Sequence, residues 1–148
     1  VAYETYHVQQ PSAPLRPETE ELLTRLVRSM CSHSVLSLSA HGPLTRHISA
    51  LGIGSLFVRI DGRTSSFRSK KQPLTKHLAA VRHVVGQRPI VLIGDAVDDL
   101  RAAHANQIHA IAFAGGLTHP DVLRRSAAPV ADSLDEAAAL AVEYARTA

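Results

Sequence analysis

The sequence predicts an α/β domain, a parallel sheet covered by helices. Short apolar runs at 35–38, 56–60, 90–93 and 108–114 alternate with stretches of helical periodicity. The run at 90–93 holds no polar residue, as expected for a parallel strand buried on both faces. Parallel neighbours need crossover helices, and such crossovers are right-handed almost without exception. A length of 148 residues suits one domain with a core of useful size.

Residues 1–10 have weak pattern, and 11–17 place three prolines in seven residues, an extended linker. A helix follows. Pro17 fits its first turn, and Glu18, Glu20 and Glu21 suit the positive end of its dipole. Leu22, Leu23, Leu26, Val27 and Met30 form its apolar face. Val35, Leu36 and Leu38 make a strand ending near Ser39, residues 43–51 a helix, and 56–60 a second strand. A polar loop is expected from Asp61 to about Ser69. Leu74, Leu78, Val81 and Val85 then mark an amphipathic helix. The strand at 90–93 is followed by a helix from about Val97 to Asn106 and a strand at 108–114, broken by Gly115 and Gly116. A short helix near 121–125, a strand around Val130 and an alanine-rich helix from about Leu134 complete the chain.

Composition excludes several classes. Apolar residues at 45% and charged residues at 20% are globular values. The net charge of +3 is mild and scattered, and aromatics are only 4%, so no nucleic-acid surface is expected. One cysteine, Cys31, excludes an internal disulfide framework and a cysteine-based zinc site. The nine histidines lack zinc-helix spacing, and only His41, beside Ser39, is placed near a site. No run approaches the roughly 20 apolar residues of a membrane span, and no signal-peptide pattern is visible, so the cytoplasm is the expected compartment. GIGSLF at 52–57 precedes a strand and is a turn rather than a dinucleotide loop.

The sharpest feature is IVLIGDAVDDL at 90–100. A buried strand delivers Gly94 and Asp95 to its carboxyl end, where ligands gather in open α/β sheets. Asp99 follows four residues later, so both carboxylates can face one site and suit a hard cation such as Mg²⁺. The plainer reading makes Asp95 or Asp98 a helix cap. Ser39, with the N–H groups after it at Ala40, His41 and Gly42, could hold a phosphate oxygen; its plainer role is an ordinary turn residue. Lys70 and Lys71 precede the 74–85 helix and could neutralise phosphate; a lone lysine there is more often a solvated surface residue.

The order of serine, lysine and Gly-Asp with a second aspartate resembles the haloacid dehalogenase (HAD) superfamily, over about residues 15–142. The stretches HAIAFAGG and APVADSLDEAAAL look like phosphoglycolate-phosphatase-like members. The resemblance implies a Rossmann-like core and a Mg²⁺-dependent hydrolase acting on a small phosphorylated substrate. It places phosphate binding on Ser39 and Ala40, the phosphate-steadying lysine on Lys71 or Lys70 with Lys71 favoured, and the metal on Asp95 and Asp99. The family's nucleophile motif, Asp-x-Asp-Gly-Thr, does not precede Ser39. Its look-alike RIDGRTSS at 59–66 has Arg59 in the nucleophile's place and falls after Ser39.

The chain thus resembles a HAD core without its first strand. Residues 1–17 are expected to be a cap remnant and linker, and 18–148 the core. An initial valine agrees with an excised or incomplete chain. The alternative is a degenerate, non-catalytic module that binds a phosphate ligand or a protein. In the resembled fold the first strand lies between those ending at Ser39 and Asp95. Its absence predicts marginal stability and self-association through the gap.

Overall fold

The computed structural model describes residues 14–66, 69–116 and 118–148; the expected cap remnant at 1–10 lies outside them. The chain divides into two compact units, the first ending at Ser66 and the second running from 67 to 148.

In the first unit, helix α1 spans Pro17–Arg28 with Pro17 in its first turn and Glu18 and Glu20 at its positive end. It ends without glycine. Cys31 N–H bonds to Leu26 C=O and Met30 N–H to Val27 C=O, each at 3.0 Å, with Met30 left-handed at φ 63°. That is a Schellman ending. Strand β1 (His33–Ala40) leads directly into helix α2 (His41–Ala50), and a 3₁₀ turn at Gly54–Leu56 precedes strand β2 (Phe57–Arg63). β1 and β2 pair in parallel, from His33 against Phe57 to Ala40 against Arg63.

The loop expected to begin at Asp61 is therefore partly strand. Gly62 explains this, because its open face is occupied. A Cβ there would lie 2.5 Å from His41 Cα and 2.9 Å from Ser39 O. Glycine admits this close backbone approach, so here it extends a strand rather than breaking one. At the start of β1 both ring nitrogens of His33 are buried with no hydrogen-bond partner, and the ring meets Phe57 edge-on. Burial holds the His33 pKa below its ordinary 6.5.

In the second unit, helix α3 (Lys71–Val85) buries Leu74, His77, Leu78 and Val81, one face at helical spacing. Strand β3 (Val91–Gly94) leads to helix α4 (Val97–Ala105), strand β4 (His109–Phe113), the short helix α5 (Pro120–Arg124), strand β5 (Val130–Ala131) and helix α6 (Leu134–Thr147). The three strands are parallel in the order β3-β4-β5. Alternation along β4 serves both faces. Ile111 packs with Ala131 and Ala137, and Ala112 with Leu100 and Leu123. At the end of α4, Ile108 N–H reaches Ala103 C=O and Gln107 N–H reaches His104 C=O, each at 3.1 Å. Gln107 there has φ 55°, a second Schellman ending without glycine.

The full burial expected of residues 90–93 is corrected. β3 lies at the edge of its sheet, and Ile93 is 41% exposed. An edge strand has a neighbour on one side only, so apolar composition does not by itself bury it. Among the described residues no helix is long and apolar enough to cross a membrane.

Candidate active site

The elbow after β3 is built from backbone first. Gly94 is buried, and a Cβ on it would meet Asp99 Cβ at 2.5 Å. The missing side chain lets the first turn of α4 close onto the strand end. Asp99 is only 4% exposed. Its Oδ2 accepts the Ala96 N–H at 3.2 Å, the reach-back half of a capping box. Its Oδ1 takes Lys70 Nζ at 2.5 Å. Asp98 is committed as well, its Oδ2 accepting the Lys70 backbone N–H at 2.7 Å. The capping weighed for Asp95 or Asp98 falls instead to Asp99, which combines it with an ion pair, while Asp98 holds the N–H of Lys70.

Lys70 precedes the first residue of α3, and its side chain is largely buried. Lys71, the lysine favoured by spacing, is exposed, and its carbonyl is held by Asn106 Nδ2 at 3.2 Å. The difference is one of direction. A one-residue step at a helix start rotates the side chain by about 100°. Asp95 leaves β3 two residues before α4, and its carboxylate lies against the backbone of Gly116. Sequence reasoning missed Asn106 and the anchoring role of Asp98; an asparagine at a helix end carries no signal beyond capping.

Ser39 and Ala40 stand in the first unit, at the end of β1. Ser39 is exposed, and its N–H donates to Ser37 Oγ at 3.1 Å, so its hydroxyl is what it offers a ligand. The first turn of α2 holds no acidic residue, which leaves the positive end of its dipole unopposed. His41 Nδ1 accepts the Gly62 N–H at 3.1 Å, which puts the proton of the neutral ring on Nε2.

The donor set constrains a cation. Among the described residues no three His, Cys, Asp or Glu side chains gather as a metal group. Each oxygen of Asp99 takes one contact, from the Ala96 N–H and from Lys70 Nζ, and the Asp95 carboxylate lies against Gly116. Mg²⁺ accepts one or two carboxylates, completing its shell with water and phosphate. The elbow carries carboxylates of the kind that Mg²⁺ takes, Asp95 and Asp99, at the exit of β3.

Comparison with known proteins bears on the fold and on residues 67–137. Residues 67–137 match the model of the HAD-hydrolase-like family. A provisionally assigned phosphoglycolate phosphatase from Lactobacillus delbrueckii subsp. bulgaricus superposes with TM-score 0.77 at 20% identity, covering 95% of this chain and 59% of that one. The protein tyrosine kinase A of Mycobacterium tuberculosis gives TM-score 0.71 at 23% identity, over 86% of this chain and 60% of that one. A haloacid dehalogenase-like hydrolase from Streptococcus pneumoniae gives 0.70 at 21%, over 86% and 60%. No curated protein matches the chain. Residues 67–137 thus resemble the HAD-hydrolase-like family in sequence, and the fold over most of the chain is like that of these solved structures. It spans about three fifths of the length of these solved structures.

Proposed function

We propose that the chain forms the greater part of a Mg²⁺-dependent HAD-type phosphatase acting on a small phosphate ester. The observation that carries this is the Lys70 Nζ to Asp99 Oδ1 contact of 2.5 Å beside the β3 exit that bears Asp95. A lysine held by a buried carboxylate is a fixed positive charge, suited to a phosphoryl group. In this reading Asp95 holds the cation, which neutralises phosphoryl charge when bound. Lys70 rather than Lys71 steadies phosphate, and Asp99 orients Lys70. Ser39 and the Ala40 N–H keep the phosphate-binding role that the resemblance implies.

None of these groups replaces the aspartate nucleophile of the resembled family, so the chain alone is expected to leave phosphate esters intact. Positioning groups without one give only a residual rate. The test titrates Mg²⁺ and inorganic phosphate while following backbone NMR shifts. Shifts at Asp95 that vanish in Asp95→Asn support the reading. Unperturbed shifts at millimolar-range metal (roughly the range for so open a site) sink it. Mg²⁺-dependent hydrolysis of an aryl phosphate would show a nucleophile within these residues.

A further inference from the structure

We infer that Asp98 and Asn106 are positioning residues that aim Lys70, gripping the start of α3 from the two ends of α4. The inference rests on the reading of Lys70 as the phosphate-steadying lysine. Asp98, in the first turn of α4, accepts the backbone N–H of Lys70 itself at 2.7 Å. Asn106, just past the last turn of α4, donates Nδ2 to the Lys71 carbonyl at 3.2 Å and to the Ala102 carbonyl at 2.8 Å. Lys70, just before α3, and Lys71, its first residue, are therefore tied to the two ends of one helix.

The amide orientation is settled by its partners. Two carbonyls face Nδ2, and a carbonyl can only accept. Oδ1 then faces Thr75, whose hydroxyl lies 2.7 Å from it and 3.0 Å from the Lys71 carbonyl. A hydroxyl has one proton, and the shorter contact takes it. Both N–H groups of the amide and its oxygen are thus used. The Asn106 backbone is itself fixed, its N–H reaching the Ala102 and Ala103 carbonyls at 3.1 Å.

The consequence falls on the lysine. Its side chain is long and rotamer-rich, and a shift at its Cα is carried to the ammonium. With the backbone on either side of that Cα pinned, Nζ meets Asp99 Oδ1 from one direction. Asp98 is thus more than a surface acid and Asn106 more than a helix end.

The test reads the Lys70 ammonium directly by ¹H–¹⁵N NMR at low temperature. The unsubstituted chain is expected to show a slowly exchanging ammonium resonance that Lys70→Met and Asp99→Asn both remove. Asp98→Ala and Asn106→Ala each lose it or move it to the shift of solvated lysines. Asp98→Asn, which keeps an acceptor, retains it. A change in helix stability alone would leave the resonance of the folded molecules in place. Should Asn106→Ala fail to fold, Thr75→Val removes one anchor of the amide from an exposed site and is expected to broaden the same resonance. No such resonance in the unsubstituted chain, or one unmoved by the Asp98 and Asn106 substitutions, overturns the inference. If the resonance behaves as described while Mg²⁺ and phosphate perturb nothing, only the functional reading falls.

Discussion

Gly62 donates its backbone N–H to Nδ1 of His41, and its α-carbon lies directly against the His41 backbone. The end of β2 therefore braces the turn through which β1 enters α2. Arg63 adds a second strut, its Nε reaching the Leu38 carbonyl at 3.0 Å. Gly62→Ala places a methyl 2.5 Å from His41 Cα, where backbone must yield. A loss of about 2 kcal/mol or more is expected from overpacking against so rigid a neighbour. Urea unfolding of the variant measures it; an unchanged midpoint would show that the turn is not braced there.

The Lys70–Asp99 pair is expected to be strongly coupled. Removing one partner leaves a buried charge uncompensated, which costs about 3 kcal/mol. Lys70→Met and Asp99→Asn should each destabilise, and the double variant should lose less than the two singles together. Strict additivity in denaturant unfolding would show that the two side chains do not interact.

Met30 and Gln107 both sit in left-handed backbone at helix ends, where glycine is the unstrained residue. Met30 is 78% exposed, so its side chain contributes little packing. Met30→Gly and Gln107→Gly are each expected to stabilise by about 1 kcal/mol, the left-handed strain removed less the entropy glycine adds to the unfolded chain. Differential scanning calorimetry would register this as a raised Tm; a lowered Tm contradicts the assignment of strain.

His33 makes stability depend on pH. Its folded pKa lies below the ordinary 6.5 because burial disfavours the imidazolium. Below pH 6.5 the unfolded chain therefore binds more protons than the folded one. The contribution of neutral His33 is full above pH 6.5 and is lost as the pH falls from 6.5 through the folded value. His33→Phe should flatten that slope in unfolding curves taken between pH 7 and 5, and an identical slope removes His33 as its source.

Ile93 at 41% exposed and Leu38 at 37% lie on strands that, among the described residues, pair on one side only. Such strands template further pairing. The isolated chain is expected to self-associate, more weakly as Ile93→Lys. Sedimentation at several concentrations decides it: a monodisperse monomer with a concentration-independent melt speaks against it.

The legibility of the sequence varied with the range of the interactions concerned. Helices were plain where apolar spacing ran for several turns, as from Leu74 to Val81, because burial of one face enforces that spacing. The Gly94–Asp95 elbow was plain because tight exits and paired acids leave a local mark. The strand through Gly62 was not, since the cause lies in the His41 backbone, distant in sequence. That Lys70 rather than Lys71 meets Asp99 was likewise hidden, because Asp99 and the contacts to the Lys70 and Lys71 backbone lie on and beside another helix. Exposure of Ile93 could not be read from residues 90–93, because composition records apolarity and not the number of neighbouring strands.

Every strand ladder among the described residues joins strands consecutive in sequence: β1 with β2, β3 with β4, and β4 with β5. None of these three ladders has to wait for a remote segment. Closing short loops costs little entropy, and topologies rich in near-sequence pairing fold quickly. During synthesis each ladder can zip as soon as its second strand clears the ribosome, in chain order. The time during which apolar strands such as 90–93 are exposed as loose chain is correspondingly brief.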